Sequence, residues 1–431
     1  MKNSDIQWIG KIPSDWELRK MSNVAETITD YVASGSFASL KENVTYLDKP
    51  DYAMLIRTVD LSKKVNKSKV YISKSSYEFL SNSNLFGGEI ILPNIGSVGD
   101  VYQYKPLYQR ASLAPNSVML RIDNDISKKY YYYYFLSDAG RTALLNLGNN
   151  AVQNKFNKTQ LRQLRVPVPP INVKKRIVDK LDQRVSSISK IINESEQSIE
   201  ELRKYKQSVI TESITKGLDP SVEMKDSGIE WVKEYPKHWN LRKVNNYFSQ
   251  VKNKNNQLQE QNLLSLSYGA VIRRNINSTG GLLPANFKKY NIVNSGDIVL
   301  RMTDLQNDKV SLRTGYVTEK GIITSAYITI RTDHINEVVP KYIQLFLHSF
   351  DIFKGFYGMG SGVRQNVTYN DIKKIQLLVP PLEEQQKIVS YIEKQVYSIN
   401  KLIEDKTKVI EELENYKKSL IYEYVTGKKE M

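Results

Sequence analysis

The chain contains no cysteine in 431 residues. That absence excludes a disulfide scaffold, thiolate zinc sites and a cysteine nucleophile. Histidine is almost as scarce: His238, His334 and His348 are the only three. They are too few for a His-based metal centre, so no metal site is expected. No apolar run reaches the roughly 18 residues of a membrane span. Residues 1–10 hold no apolar signal-peptide core, and a cytoplasmic protein with no membrane partner is the expectation. There is no Gly-x4-Gly-Lys-[Ser/Thr] phosphate loop and no glycine-rich strand-to-helix turn for a nucleotide cofactor. The Asn-Pro-Pro-[Tyr/Phe] segment that amino-methyltransferases use to hold a flipped base is missing too. Pro50-Asp51 could open a Pro-Asp…[Asp/Glu]-x-Lys nuclease core, but no convincing partner follows. No catalytic residue is assigned.

Charge is what the chain has in surplus. Against 46 Asp+Glu stand 62 Lys+Arg, a net charge of +16, in a chain of ordinary globular composition. Such a surplus favours a polyanion, nucleic acid first. The excess is localised: residues 1–170 hold 22 basic and 15 acidic residues, and residues 218–381 hold 21 and 14. Residues 171–217 (10 and 7) and 382–431 (9 and 10) are nearly neutral.

The same division emerges from an internal repeat. Ile6-x-Trp8-x4-Pro13-x2-Trp16-x-Leu18-Arg19-Lys20 returns as Ile229-x-Trp231-x4-Pro236-x2-Trp239-x-Leu241-Arg242-Lys243, offset by 223 throughout. All four tryptophans lie in these two strings. Val168-Pro169-Pro170-Ile171 returns as Val379-Pro380-Pro381-Leu382, offset by 211, and the match runs on to Tyr205-Lys206 and Tyr416-Lys417. Between the matching ends the sequences diverge, with weak echoes at Gly88-Glu89-Ile90 and Gly296-Asp297-Ile298, and at Arg121-x-Asp123 and Arg331-x-Asp333.

The shared C-terminal segments have the period of long helices. Ile177, Leu181, Val185, Ile188, Ile192, Ile199 and Leu202 step by three, four or seven residues, as do Ile388, Ile392, Val396, Ile399, Ile403, Ile410 and Leu413. The Pro-Pro pairs mark the starts, Gly217 and Gly427 the ends. One apolar stripe per helix must be covered; an antiparallel pair within the chain does so best, and pairing with another subunit is the alternative. The lobes between them have mixed α/β character, with strands at Val118–Ile122, 296–300 and 322–330, and helices over Lys129–Leu145 and Lys341–Phe353. The expected fold is therefore α+β: two similar lobes, 1–170 and 218–381, joined by long antiparallel coiled-coil helices, 171–217 and 382–431, with a pseudo-two-fold repeat. Tyr130 to Tyr134 could offer a base-stacking platform, but their apolar counterparts around Tyr342 favour packing. The four tryptophans are likewise assigned to core and junctions.

Base readout needs Arg, Lys, Asn or Gln side chains. In the first lobe the candidates are Arg57, Lys63, Lys64, Lys67, Lys69, Asn94, Arg110, Gln153 and Asn154. In the second they are Arg273, Arg274, Asn275, Arg301, Arg313, Arg364, Gln365 and Asn366. Arg273-Arg274-Asn275 follows the turn-like Tyr268-Gly269-Ala270. Arg364-Gln365-Asn366 follows the glycines 358, 360 and 362, a loop that is either a close phosphate approach or an ordinary turn. A surface lysine is most often simply solvated, and Lys63 to Lys69 can be read as a basic loop only.

Taken together, the doubled tryptophan string and the doubled Val-Pro-Pro helix start resemble the specificity subunit of type I restriction-modification systems. The second start, Pro380-Pro381-Leu382-Glu383-Glu384-Gln385-Gln386-Lys387-Ile388, carries the family's Pro-Pro-Leu-x-Glu-Gln-x2-Ile signature. The first departs from it, with Val173-Lys174 where the second has Glu384-Gln385, which puts in doubt a contact made by those side chains. The resemblance implies that each lobe is a target-recognition domain reading half of a split double-stranded DNA sequence. It implies that the helices set the half-site distance and dock two methyltransferase subunits, joined by restriction/translocase subunits. S-adenosylmethionine, for adenine methylation, ATP and Mg would be bound by those partners and none by this chain, which would be non-catalytic. Thr211 to Leu218 reads as two loose Thr-x2-[Ile/Leu] tetrads placed as a ruler just after the first helix. Inserting one tetrad would add about 6 Å, nearly two base-pair steps of about 3.4 Å; an unchanged recognised spacer would dismiss the ruler. The alternatives are a stand-alone restriction or modification enzyme with an unrecognised catalytic site, and a coiled-coil adaptor that binds only proteins.

Overall fold

The computed structural model describes residues 1–62, 68–148, 154–276, 284, 286–303, 305, 312–359 and 366–429. Two compact units divide the chain: Met1–Ser195 with Thr407–Met431, and Glu196–Lys406. Both cuts fall inside the long helices, so each unit is one lobe plus one end of each helix.

In the first lobe, strands Thr27–Asp30, Ser117–Arg121, Ile90–Pro93 and Tyr102–Gln103 form an antiparallel sheet in that order. A second sheet runs Tyr71–Ile72, Ala53–Ile56, Ala111–Leu113, Asn84–Leu85, and its middle pair is parallel. The second lobe repeats the plan. Ser249–Val251, Ile328–Arg331, Ile298–Leu300 and Thr314–Tyr316 make the antiparallel sheet. The hairpin Leu264–Ser267/Ala270–Arg273 meets the pair Gly321–Ile323/Asn291–Val293 through a parallel bridge, Leu263 to Ile322. Strand order is thus common to the lobes although their sequences are not.

The two sequence motifs of each repeat turn out to be two strands of one ribbon. Glu17–Lys20, the Leu-Arg-Lys strand, pairs antiparallel with Arg165–Val168, and Asn240–Lys243 pairs with Gln376–Val379. Each ribbon leads through its prolines into a long helix, Ile171–Lys216 (46 residues) or Leu382–Val425 (44 residues). At their ends Gly217 and Gly427 take φ of +76° and +70°, the left-handed stop that glycine supplies without strain. In the first unit Val173 and Ile177 share a core with Leu420, Ile421, Tyr424 and Val425, while Ile188 and Ile192 lie with Ile410 and Leu413. In the second unit Ile210 and Ile214 meet Ile388, Val389 and Ile392. Start meets end in both, so the pair is antiparallel. Of the expected stripe, Ile177, Leu181, Ile188, Ile192, Ile199, Ile388, Ile392 and Ile399 are buried, and Leu202, Ile403, Ile410 and Leu413 half-buried.

Three expectations need correction. The strand anticipated over 322–330 is two, Gly321–Ile323 and Ile328–Arg331, paired with different strands, because the chain turns between them, where the Tyr327 N–H bonds the Thr324 carbonyl at 3.2 Å. The helix anticipated over Lys129–Leu145 is two helices, Asp125–Leu136 and Asp138–Leu147. Ser137 breaks it by capping the second, its hydroxyl accepting from the Gly140 N–H at 3.2 Å. A Cβ on Gly140 would lie 2.1 Å from the Tyr134 carbonyl oxygen, so the break needs glycine. The Thr211 tetrad does not follow the helix but belongs to its last turns, with Ser213, Ile214 and Thr215 buried. Among the described residues no helix is long and apolar enough to cross a membrane.

Candidate nucleic-acid interface

The tyrosine run is a clasp, not a platform. Tyr130, Tyr131, Tyr133 and Tyr134 are buried. Tyr130 donates to the Val425 carbonyl at 2.8 Å, Tyr131 to that of Pro167 at 3.1 Å, and Tyr133 to Asp182 at 2.7 Å. Tyr342 repeats the first of these, donating to the Ile214 carbonyl at 3.1 Å. In both units, then, a lobe tyrosine holds the last turn of a long helix. Trp16 and Trp239 are buried, and Trp231 packs edge-on to Phe346 and Phe350, so core packing accounts for these rings.

The helix starts show what the Glu-Gln pair does. Glu384 accepts the Trp239 indole N–H at 3.0 Å, and His238 Nε2 lies 2.9 Å from its other oxygen. Gln385, fully buried, donates to the carbonyls of Glu337 and Pro380 and accepts from the Val339 N–H. In the first repeat the equivalent Lys174 is buried, donates to the Ser127 hydroxyl at 3.2 Å and faces the Tyr131 ring at 5.2 Å. Burial, then the nearby Arg19 charge, pushes its pKa down.

Several nominated DNA contacts are spent inside the lobes. Arg313 is fully buried; its guanidinium donates to the carbonyls of Arg301 and Thr303 at 3.1 and 3.0 Å and to the Tyr357 hydroxyl at 3.2 Å. It is a core arginine and cannot reach a groove. Arg57 forks onto Asp60 at 3.0 and 3.1 Å and donates to the Ser68 carbonyl. Asn94 donates to the Phe156 carbonyl at 3.0 Å. These three residues position loops. Arg301 is half-buried, its N–H bonded to the Arg313 carbonyl at 2.8 Å.

What faces solvent is narrower. In the first lobe Lys69 is half-buried, 3.4 Å from Asp60. Arg110 is exposed with its guanidinium 4.4 Å over the Tyr52 ring, and Asn154 is exposed. In the second lobe Arg273, Arg274, Asn275 and Asn366 are exposed. The Arg273 fork is held by Glu319, with Nε at 2.8 Å from both oxygens, and Asn262 donates to the same carboxylate at 3.1 Å. Lys63, Lys64, Lys67, Gln153, Arg364 and Gln365 lie outside the described residues.

The lobes differ most where one edge strand turns into the next. In the first lobe Ala53–Ile56 and Tyr71–Ile72 are joined by residues 57–70, which carry Arg57 and the lysines 63, 64, 67 and 69. In the second the equivalent connection is Tyr268-Gly269 alone. Sequence reasoning took Tyr268 only as part of a turn and passed over Glu319 and Asp60; Glu319 pairs with an arginine 46 residues away, and Asp60, three residues from Arg57, has its side chain buried by the fold.

Two lobes of one topology with different edges, on an antiparallel helix pair, define a duplicated scaffold that presents two unlike surfaces. The sequence profile of the type I restriction modification DNA specificity domain matches residues 13–201 and again 236–412. The chain belongs to that family. It is similar to a putative type I restriction enzyme MjaX specificity subunit of Methanocaldococcus jannaschii, 26% identical over 439 aligned positions covering 97% of this chain and 95% of the relative. It also resembles the type I restriction enzyme StySPI specificity subunit of Salmonella potsdam, 21% identical over 89% of this chain and 82% of that one. A chain from a solved structure concerning complex assembly and conformational transition of the type I R-M system superposes with a TM-score of 0.65 at 13% identity, covering 96% of this chain and 98% of the other; that likeness is one of fold.

Proposed function

We propose that this chain is the DNA-recognition subunit of a type I restriction-modification complex, each lobe reading one half of a split double-stranded target. The observation that carries this reading is the contrast between constant frames and unlike edges. The ribbons, tyrosine clasps and helix ends recur in both units, whereas the edge connections, 57–70 and Tyr268-Gly269, share neither length nor chemistry. A reader of two different half-sites needs that combination. The equal basic surplus of the lobes supplies salt-dependent phosphate attraction to both. In this reading the helix pair sets the half-site spacing and docks two methyltransferase subunits, to which restriction/translocase subunits are added. S-adenosylmethionine, ATP and Mg act on those partners, and this chain contributes recognition, not catalysis.

The test is a genome-wide adenine-methylation map from a methylation-free host expressing this chain with its cognate methyltransferase subunit, beside a control lacking this chain. A split motif should appear only with the chain present, and exchanging residues 1–170 should change one half of it. Assembly without any motif or DNA binding would support the protein-only adaptor instead. Methylation or cleavage by this chain alone would support the enzyme.

A further inference from the structure

Tyr268 is 86% exposed, the most exposed large hydrophobic side chain among the described residues. It forms, with Gly269, the two-residue tip of the hairpin in which Ser267 pairs with Ala270. The tip has φ of +46° at Tyr268 and +82° at Gly269, the pattern of a type I′ turn, whose first position normally holds asparagine, aspartate or glycine. A bulky L-residue in the left-handed region is strained, and the residues usually chosen here avoid that strain. Nothing in the lobe's packing recovers the cost, because the ring is bare to solvent.

The tip is not a loose end. A Cβ on Gly269 would lie 3.2 Å from the Leu312 side chain and 3.6 Å from His348, so the turn is seated on the lobe and projects its ring outward. Burial, then the charges of Lys341 and Lys206, pushes His348 down to about 4, so the imidazole beneath the turn is neutral. At the far end of the same hairpin stands the Arg273 fork, followed by exposed Arg274 and Asn275. Guanidinium and amide groups are the chemistry that reads base edges. This hairpin is also the element at which the second lobe departs from the first.

We infer that Tyr268 is a wedge that enters a base step of the second half-site and stacks on the base face it exposes, while Arg273 to Asn275 address base edges and phosphates nearby. The inference rests on the DNA-recognition reading and names the side chain that opens the step. A flat π-face accepts any base, so the wedge fixes register and affinity, and the letters are read by its neighbours. Wedging apolar side chains between steps is an established way for proteins to deform a duplex.

The experiment uses the assembled complex of full-length chain and methyltransferase subunit, with duplexes carrying the mapped target and 2-aminopurine placed in turn through the second half-site and adjoining spacer. With the unaltered chain, fluorescence should rise at one step, where stacking on the neighbouring base is lost. Tyr268→Ala should abolish that signal and weaken cognate binding roughly 5- to 150-fold, the range for losing one stacked base. Tyr268→Phe should retain both. Tyr268→Asn, suited to the turn, should leave thermal stability equal or higher while losing the signal, which separates stacking from folding. Cognate binding and fluorescence unchanged in Tyr268→Ala would overturn the wedge. So would weakened association with the methyltransferase subunit in the absence of DNA, which would make the tip a protein contact. If the unaltered complex shows no cognate binding at all, the recognition reading fails and the wedge falls with it, an outcome distinct from binding that persists without Tyr268.

Discussion

Arg331 grips Asp297 with two hydrogen bonds, Nε to Oδ1 at 2.6 Å and Nη2 to Oδ2 at 2.8 Å, and the carboxylate is almost wholly buried. The first lobe repeats the pair more loosely, with Arg121 3.5 Å from Glu89. The weak echoes Gly-[Glu/Asp]-Ile and Arg-x-Asp are thus the two halves of one ion pair, brought together by neighbouring sheet strands.

Removing the arginine leaves a buried carboxylate with one backbone donor, the Asn294 N–H at 2.8 Å, and no countercharge; breaking such a pair costs about 3–5 kcal/mol. Arg331→Ala should therefore lower the Tm of the second unit steeply, about 2–4 °C for each kcal/mol in a unit of this size. Arg121→Ala should cost less, because Glu89 keeps two backbone donors, Phe86 and Gly87, each at 2.8 Å. Equal losses in calorimetry would show that the closer approach in the second lobe adds nothing.

Lys174 occupies the position of Gln385 without that residue's three bonds. A buried ammonium with one hydroxyl partner is poorly compensated. Lys174→Met should stabilise the first unit by on the order of 1 kcal/mol at neutral pH. The sign follows from the depressed folded pKa: the unfolded chain holds the proton more tightly, so the wild type gains stability as pH rises. The advantage of Lys174→Met should be full below the folded pKa and fade towards the ordinary lysine value. A Tm difference that stays constant up to pH 10.5 would contradict a desolvated charge.

How far the fold was legible depended on whether its signals were local. The helices announced themselves because Pro170, Gly217 and an unbroken apolar stripe lie along one segment, and the repeat because Trp16 and Trp239 recur in full strings. Ser137 hid its break because a serine within a run of helix formers is a cap only when the backbone turns there. The candidate interface was less legible. Arg313 and Arg273 look alike in sequence, yet the first lies among carbonyls that tertiary structure brings to it and the second at the exposed end of a hairpin. Burial decides between them, and burial is not written beside either residue. The turn at Tyr268 was legible from Gly269, but the left-handed strain at Tyr268 was not, because it is a backbone angle.

Asp60 gives the first lobe an acid sensitivity. Burial pushes its carboxyl up, but the side-chain and backbone bonds from Arg57 and the charges of Arg57 and Lys69 outweigh that and hold it below its usual value. Stability from a depressed carboxyl is complete above the unfolded value of 3.8 and is lost as pH falls through the folded pKa. Asp60→Asn should destabilise the first lobe by about 1–3 kcal/mol at pH 7 and flatten its unfolding profile below pH 3.8. An acid limb unchanged by the substitution would assign it to other carboxylates.

Arg273 and Arg313 should behave oppositely. Arg273→Ala leaves the fold intact, since its side chain is 73% exposed and bonded to the rim carboxylate Glu319. If the fork reads a base, the variant should relax preference at one position of one half-site, by about 1–3 kcal/mol, and leave the other half untouched. If it contacts phosphate, all sequences should weaken together and the salt dependence should flatten. Glu319→Gln, which keeps a hydrogen-bond acceptor but removes the charge holding the fork, should leave the recognised letter unchanged. Arg313→Ala instead empties a fully buried site and strands the Arg301 and Thr303 carbonyls, so it should cost several kcal/mol of stability, at about 1–3 for each buried group left unpaired. Below its lowered Tm, the DNA preference of any folded Arg313 variant should match the wild type. A changed recognition motif in folded Arg313→Ala, measured by methylation mapping alongside calorimetry, would mean that the buried guanidinium shapes the reading surface as well as the core.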